Sequence, residues 1–220
     1  MPVAIDNDVL QKLSSYGLIP DLQSVLAPYE PIGVLGAARF IVRRALGRLN
    51  LGDVDALKTS FEEFIQGANE MEPTDEEIAL ATEFEEVANK QLLGFDAGES
   101  QLCAIAIVRG LDAVITGDKR AIVAAETVRG AVDALSALVG KLVCLEQLML
   151  GVINSIGHEI VRPRVCAVRA VDKALSICLK CWNPGDPDQE AITEAFQSYI
   201  EDLRTSAPSL LCEGHAFPNS

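Results

Sequence analysis

Apolar and polar positions along this chain fall into two alternating kinds of block. Short apolar runs of strand length precede longer stretches in which apolar residues recur every three or four positions, the spacing that lays one stripe along a helix. PVAIDND, residues 2–8, is the first strand pattern and delivers Asp6 and Asp8 to its C-terminal end. DNDVLQKLSSYGLI then predicts a helix with Val9, Leu10, Leu13 and Tyr16 on one side and Gly17 as its stop. DLQSVLA extends the helical pattern until PYEPI interrupts it with two prolines, and a short second strand is expected near Tyr29–Ile32. GVLGAARFIVRRALGRL reads as one helix with an apolar face and a basic face, the latter built from Arg39, Arg43, Arg44 and Arg48. Two more amphipathic helices follow in GDVDALKTSFEEFIQGA and TDEEIALATEFEEVANKQL, the second opened by Thr74 and Glu77 at capping-box spacing.

The stretch LGFDAGESQLCAIAI, residues 93–107, sets Asp96, Gly98 and Glu99 directly before a run apolar enough to be a buried helix. LLGF predicts a short strand, Asp96 an N-cap, and Glu99–Arg109 the helix. AVIT, residues 113–116, is β-prone, and GDKR turns into another helix. A last strand is expected around Leu142–Leu145. From there the pattern is helical as far as LLCEGHAFPNS, residues 210–220, which is expected to fray. Strand–helix alternation over residues 1–147 implies an α/β domain with a central parallel sheet covered by helices, and residues 148–220 read as a C-terminal α-helical extension.

Composition narrows the function classes. The chain has 220 residues, 49% of them apolar, so a sizeable core can form. No apolar run approaches the ~18 residues that span a bilayer, and MPVAIDND lacks the basic region of a signal peptide. The expectation is therefore a cytoplasmic protein without a membrane partner, from a bacterial or archaeal source. Six cysteines, at 103, 144, 166, 178, 181 and 212, mostly sit inside apolar patterns and read as reduced core residues. The net charge of −14 argues against a sequence-independent nucleic-acid coat, which needs a broadly basic face. It leaves open a nuclease, whose centre is acidic and whose basic rim is local.

In open parallel sheets, ligands bind outside the carboxyl ends of the strands. Asp6 and Asp8 end the first strand, Asp118 follows AVITG, and Asp96 and Glu99 stand at the mouth of the buried helix, so all three groups are expected to meet at one sheet edge. Converging carboxylates repel one another, and a hard divalent cation such as Mg²⁺ or Mn²⁺ relieves that repulsion. Such an ion activates water and neutralises charge during phosphodiester cleavage. Lys119 and Arg120 stand ready for the substrate phosphate, and Arg39 and Arg43 for a nucleic-acid backbone.

AIDNDVLQKL, LGFDAGESQLCAIAI and DAVITGDKRAI, in this order and spacing, resemble the PIN-domain family over roughly residues 3–147. The resemblance implies a three-layer α/β/α sandwich and a Mg²⁺- or Mn²⁺-dependent ribonuclease related to VapC-like toxins. It matches Asp6 to the family's first acid and Glu99 to the acid that opens the helix before the fourth strand. Asp118 matches the acid after that strand, and Thr116 its polar neighbour. Asp8 takes the place of a small polar residue. One family acid is missing, since GVLGAARFIVRRAL contains none, with Glu30, Glu62, Glu63, Asp96 or Asp8 as possible substitutes.

Other readings stand beside this one. A PIN-like domain lacking an acid would serve as a binding or scaffold module. IDNDVL also resembles the first motif of haloacid-dehalogenase-like phosphatases, with Asp6 as nucleophile, but GDKRAIVAAE offers no second aspartate at the expected spacing. Cys178, Cys181, Cys212 and His215 have the residue types of a zinc site, across a long gap. The C-terminal helices offer a surface for self-association or for a protein partner.

Overall fold

The computed structural model describes residues 2–49, 53–183, 185 and 187–218. Its strands are β1 (Val3–Ile5), β2 (Ile32–Leu35), β3 (Asn69–Met71), β4 (Ala113–Thr116) and β5 (Leu142–Cys144). All pair in parallel, in the order β3-β2-β1-β4-β5. From β1 the chain steps outward to β2 and β3 through α1 (Asn7–Ser15), α2 (Ile19–Leu26), α3 (Ala38–Leu46) and α4 (Val54–Gly67), which pack on one another. It then crosses back to β4 and β5 through α5 (Asp75–Lys90), α6 (Ala97–Arg109) and α7 (Lys119–Val128), which form the opposite layer. The result is the expected α/β sandwich with a central parallel sheet. β1, β2, β4 and β5 are buried throughout, as parallel strands covered on both faces must be.

After β5 come α8 (Leu145–Ile156), α9 (His158–Ala167), α10 (Lys173–Cys178) and α11 (Gln189–Ser206). α8 packs on α2 and α11, and α11 also packs on α7, so one hydrophobic core runs from the strands into the C-terminal helices. Phe61, Phe64 and Phe84 from the first part and Phe196 from α11 are all fully buried within it. Each such side chain contributes on the order of 2–3 kcal/mol.

Several boundaries differ from the sequence reading. β2 occupies Ile32–Leu35, later than the expected strand, and α3 starts only at Ala38. β3 has no counterpart in the sequence reading; it is a three-residue edge strand with two exposed residues, too polar to show as an apolar run. The expected strand at LLGF is absent, residues 91–96 being turn and coil. Phe95 is buried there by stacking on Phe84, ring centroids 6.1 Å apart, so burial without strand pairing produces the apolar signal.

The C-terminal tail is ordered by the sheet instead of fraying. The Leu142 amide donates to Leu210 O at 2.9 Å, the Cys212 amide to Leu142 O at 2.7 Å, and Phe217 packs on Tyr29. Cys166 and Cys181 form a disulfide, which corrects the expectation of wholly reduced cysteines and takes Cys181 out of any zinc set. Among the described residues no helix is long and apolar enough to cross a membrane.

Candidate active site

The strand order reverses direction between β1 and β4, the point at which an open parallel sheet leaves a crevice beyond its strand ends. Asp6 directly follows β1. Its amide donates to Ile115 O at 2.9 Å, extending the β1–β4 ladder by one step, and its carbonyl accepts from Leu10 N to start α1. The side chain is thereby held just past the end of β1, 4% exposed. Thr116, the last residue of β4, donates its hydroxyl to Asp6 Oδ2 at 3.4 Å and accepts from the Asp118 amide at 3.1 Å.

Asp6 and Glu99 have no cationic partner among the described residues. Burial, then the charges of Glu99 and Asp8, raise the Asp6 carboxyl to about 7. Glu99, in the first turn of α6, is also raised, by burial and then by Asp118, Asp96 and Asp8. The acids named from sequence therefore do share one electrostatic neighbourhood. Asp96 lies at its exposed rim, as the residue before α6. The absence of a side chain at Gly117 leaves room for the Asp8 carboxylate, which a Cβ there would push aside.

The cationic residues are placed differently from expectation. Arg120 binds Asp118 with two side-chain contacts, Nη2 to Oδ2 at 2.8 Å and Nε to Oδ1 at 3.2 Å. Asp118 also accepts from the Arg120 amide as N-cap of α7. Burial raises the Asp118 carboxyl, but these bonds outweigh it and the group is held below its ordinary value. Lys119 ion-pairs with Glu146, which is 2% exposed at the start of α8. Arg39 pairs with Glu70 at 3.0 Å and Arg43 with Glu62 at 3.1 Å, so both are anchored to neighbouring acids.

Sequence reasoning missed three participants. Glu146 follows β5 much as Asp6 follows β1, and the strand-end rule applied to β5 would have found it. Asp172 reaches in from beyond the sheet. It caps α10 by accepting from Leu175 N, and its Oδ2 lies 2.8 Å from Lys12 Nζ, which in turn lies 2.6 Å from Asp8 Oδ2. Glu72, just past β3, rests its carboxylate against Gly36, just past β2. It thus brings an acid to the region where the α3 sequence offers none.

The donor set is carboxylate oxygen throughout, suited to a hard cation. Among the described residues, however, no three such side chains are gathered into a ready-made metal cage. Two of the five acids, Asp8 and Asp118, already carry a cationic side chain. The fold and this crevice define an open α/β protein with an acidic strand-end site. No family model matches the chain, no curated protein matches its sequence, and no solved structure matches its fold.

Proposed function

We propose that this chain is a divalent-metal-dependent nuclease of the PIN-like kind, acting on RNA, with Asp6, Glu99 and Asp118 at its centre. The observation that supports this reading most is Asp6. It is a buried carboxylate with no cationic partner among the described residues, pressed by the charges of Glu99 and Asp8. A buried site of that kind is costly unless a cation or a proton occupies it. Asp6, Glu99 and Asp118, with Asp8 and Asp96 at the periphery, would hold Mg²⁺ or Mn²⁺, which supplies a polarised water and neutralises phosphodiester charge.

The chain's own residues do the rest. Thr116 orients Asp6 through its hydroxyl, and Gly117 admits Asp8 to the crevice. Arg120, whose exposed guanidinium is paired with Asp118, would take the substrate phosphate in its place and leave the Asp118 carboxylate free to hold the metal. A cytoplasmic setting belongs to this reading, although a disulfide such as Cys166–Cys181 is characteristic of oxidising compartments.

A second reading has a specific observation behind it. Asp8 and Asp118 are neutralised by Lys12 and Arg120, as in a binding module that has given up its metal. One experiment separates the two. Labelled single-stranded RNA and DNA are incubated with the purified protein and Mn²⁺, Mg²⁺ or EDTA, alongside Asp118→Asn. The nuclease reading expects metal-dependent cleavage of RNA, lost by at least about a hundredfold in the variant, with an unchanged circular dichroism spectrum. Cleavage of neither strand, and no change in melting temperature on adding metal, sinks it in favour of the binding module.

A further inference from the structure

The four arginines of α3 and the turn after it are not equivalent. Arg39 and Arg43, four residues apart, face Glu62 and Glu70 and are paired. Arg44 and Arg48, also four apart, have no ion-pair partner among the described residues. They line a groove of about 500 Å³ between α1 and α3, with Gln11, Ile41 and Ala45. On the same outer surface Phe40 is 75% exposed, and its neighbour Ile41 is 42% exposed. Phe40 precedes Arg44 by four residues, so the ring and the guanidinium lie one helical turn apart on one side of α3.

An exposed phenylalanine costs solvation and contributes nothing to the core. Two uncompensated arginines beside it, on a chain of net charge −14, form a local exception to the field of the whole molecule. The combination of a free aromatic face with unpaired guanidinium groups meets the two demands of a single-stranded nucleic acid, stacking for a base and charge for adjacent phosphates. A duplex offers no free base face to Phe40. Gln11, which lines the groove, lies three residues along α1 from Asp8, roughly 4.5 Å of helix rise.

We infer that the α1–α3 groove is a binding track for single-stranded nucleic acid, with Phe40 stacking a base and Arg44 and Arg48 holding phosphates. This rests on the nuclease reading only for what lies at the end of the track; binding itself does not.

The test is fluorescence anisotropy of a labelled single strand of about 12 nucleotides, RNA or DNA, with the full chain in EDTA so that nothing is cut. Arg44→Glu with Arg48→Glu is expected to raise Kd by about tenfold or more. Arg44→Ala with Arg48→Ala is expected to make the salt dependence shallower by about 1.4 in log–log slope. Phe40→Ala is expected to raise Kd about fivefold or more. The charge-matched pair Lys58→Glu with Lys90→Glu, on α4 and α5, stays within about twofold of the parent, and circular dichroism confirms that each variant folds. The inference is overturned if the parent binds no single strand, or if the arginine variants bind as the parent does. It is equally overturned if sedimentation shows that Phe40 and Arg44 instead hold two copies of the chain together. Loss of binding in these variants without any cleavage by the parent would keep the track and remove the nuclease reading.

Discussion

Asp6→Asn is expected to melt at a higher temperature than the parent at pH 8, and at the same temperature at pH 4. The Asp6 carboxyl stands at about 7 in the folded chain against 3.8 for the free group, raised first by burial and then by Glu99 and Asp8. A group that binds its proton more tightly when folded contributes its stability below the unfolded value and loses it as pH rises through the folded one. The loss therefore runs from about pH 4 to about pH 7. Above that range the parent carries a buried, unpaired carboxylate. Each tenfold gain in proton affinity on folding corresponds to about 1.4 kcal/mol, so the full cost is on the order of 4 kcal/mol. Asparagine keeps the shape and the carbonyl that accepts from Thr116, and it carries no charge. For a chain of this size, recovering even half of that cost raises Tm by roughly 5–8 °C. Melting curves of both proteins between pH 4 and pH 8, in EDTA, decide the matter. A difference that stays constant across that range, or a variant less stable than the parent at pH 8, would show that Asp6 is not under strain from its neighbours.

Where local chemistry and tertiary structure agree, the sequence was enough. Thr74 and Glu77 form the capping box their spacing announces, and Asp6 ends a buried strand as PVAID implies. The strand at AVIT and the acid after it lie where β4 and the N-cap of α7 are found. Reading failed where a pattern is shared by two kinds of structure. Gly33, Val34 and Leu35 continue the apolar spacing of the α3 helix, yet they pair with β1 and β3. Leu92 to Phe95 are apolar like a strand, but Phe95 is satisfied by a ring and Leu92 is 94% exposed.

The site was half legible for a similar reason. A strand-end acid is visible in a sequence, whereas the partner that neutralises it is not, because it comes from anywhere in space. Nothing near Lys12 announces Asp172, and nothing in a CxxC at 178–181 announces that Cys181 pairs with Cys166. Lys119 and Arg120 looked like free cations beside Asp118. The fold assigns the first to Glu146 and the second to Asp118 itself. This division matters for mechanism. Arg120 is exposed and can exchange partners with a phosphate, whereas Lys119 is committed to a carboxylate with nowhere else to go.

That commitment gives the second large effect. Lys119→Met is expected to destabilise the chain by about 3–5 kcal/mol, because it leaves the Glu146 carboxylate buried without its cation. The Lys119 ammonium also lies over the Tyr199 ring, 4.7 Å from its centroid, so Lys119 ties α7 and α8 to α11. Methionine preserves most of the stem and removes the ammonium, and with it both the ion pair and the contact with the Tyr199 ring. Lys119→Met combined with Glu146→Leu is then expected to recover most of the loss, since replacing both charges by apolar groups of similar volume removes the desolvation cost together with the attraction. Denaturant unfolding of the parent, the two single variants and the double variant gives the coupling directly. A double variant as unstable as Lys119→Met alone would mean that Lys119 acts through Tyr199 and packing. A large positive coupling would establish that the Lys119–Glu146 pair holds α7 and α8 together beside the site.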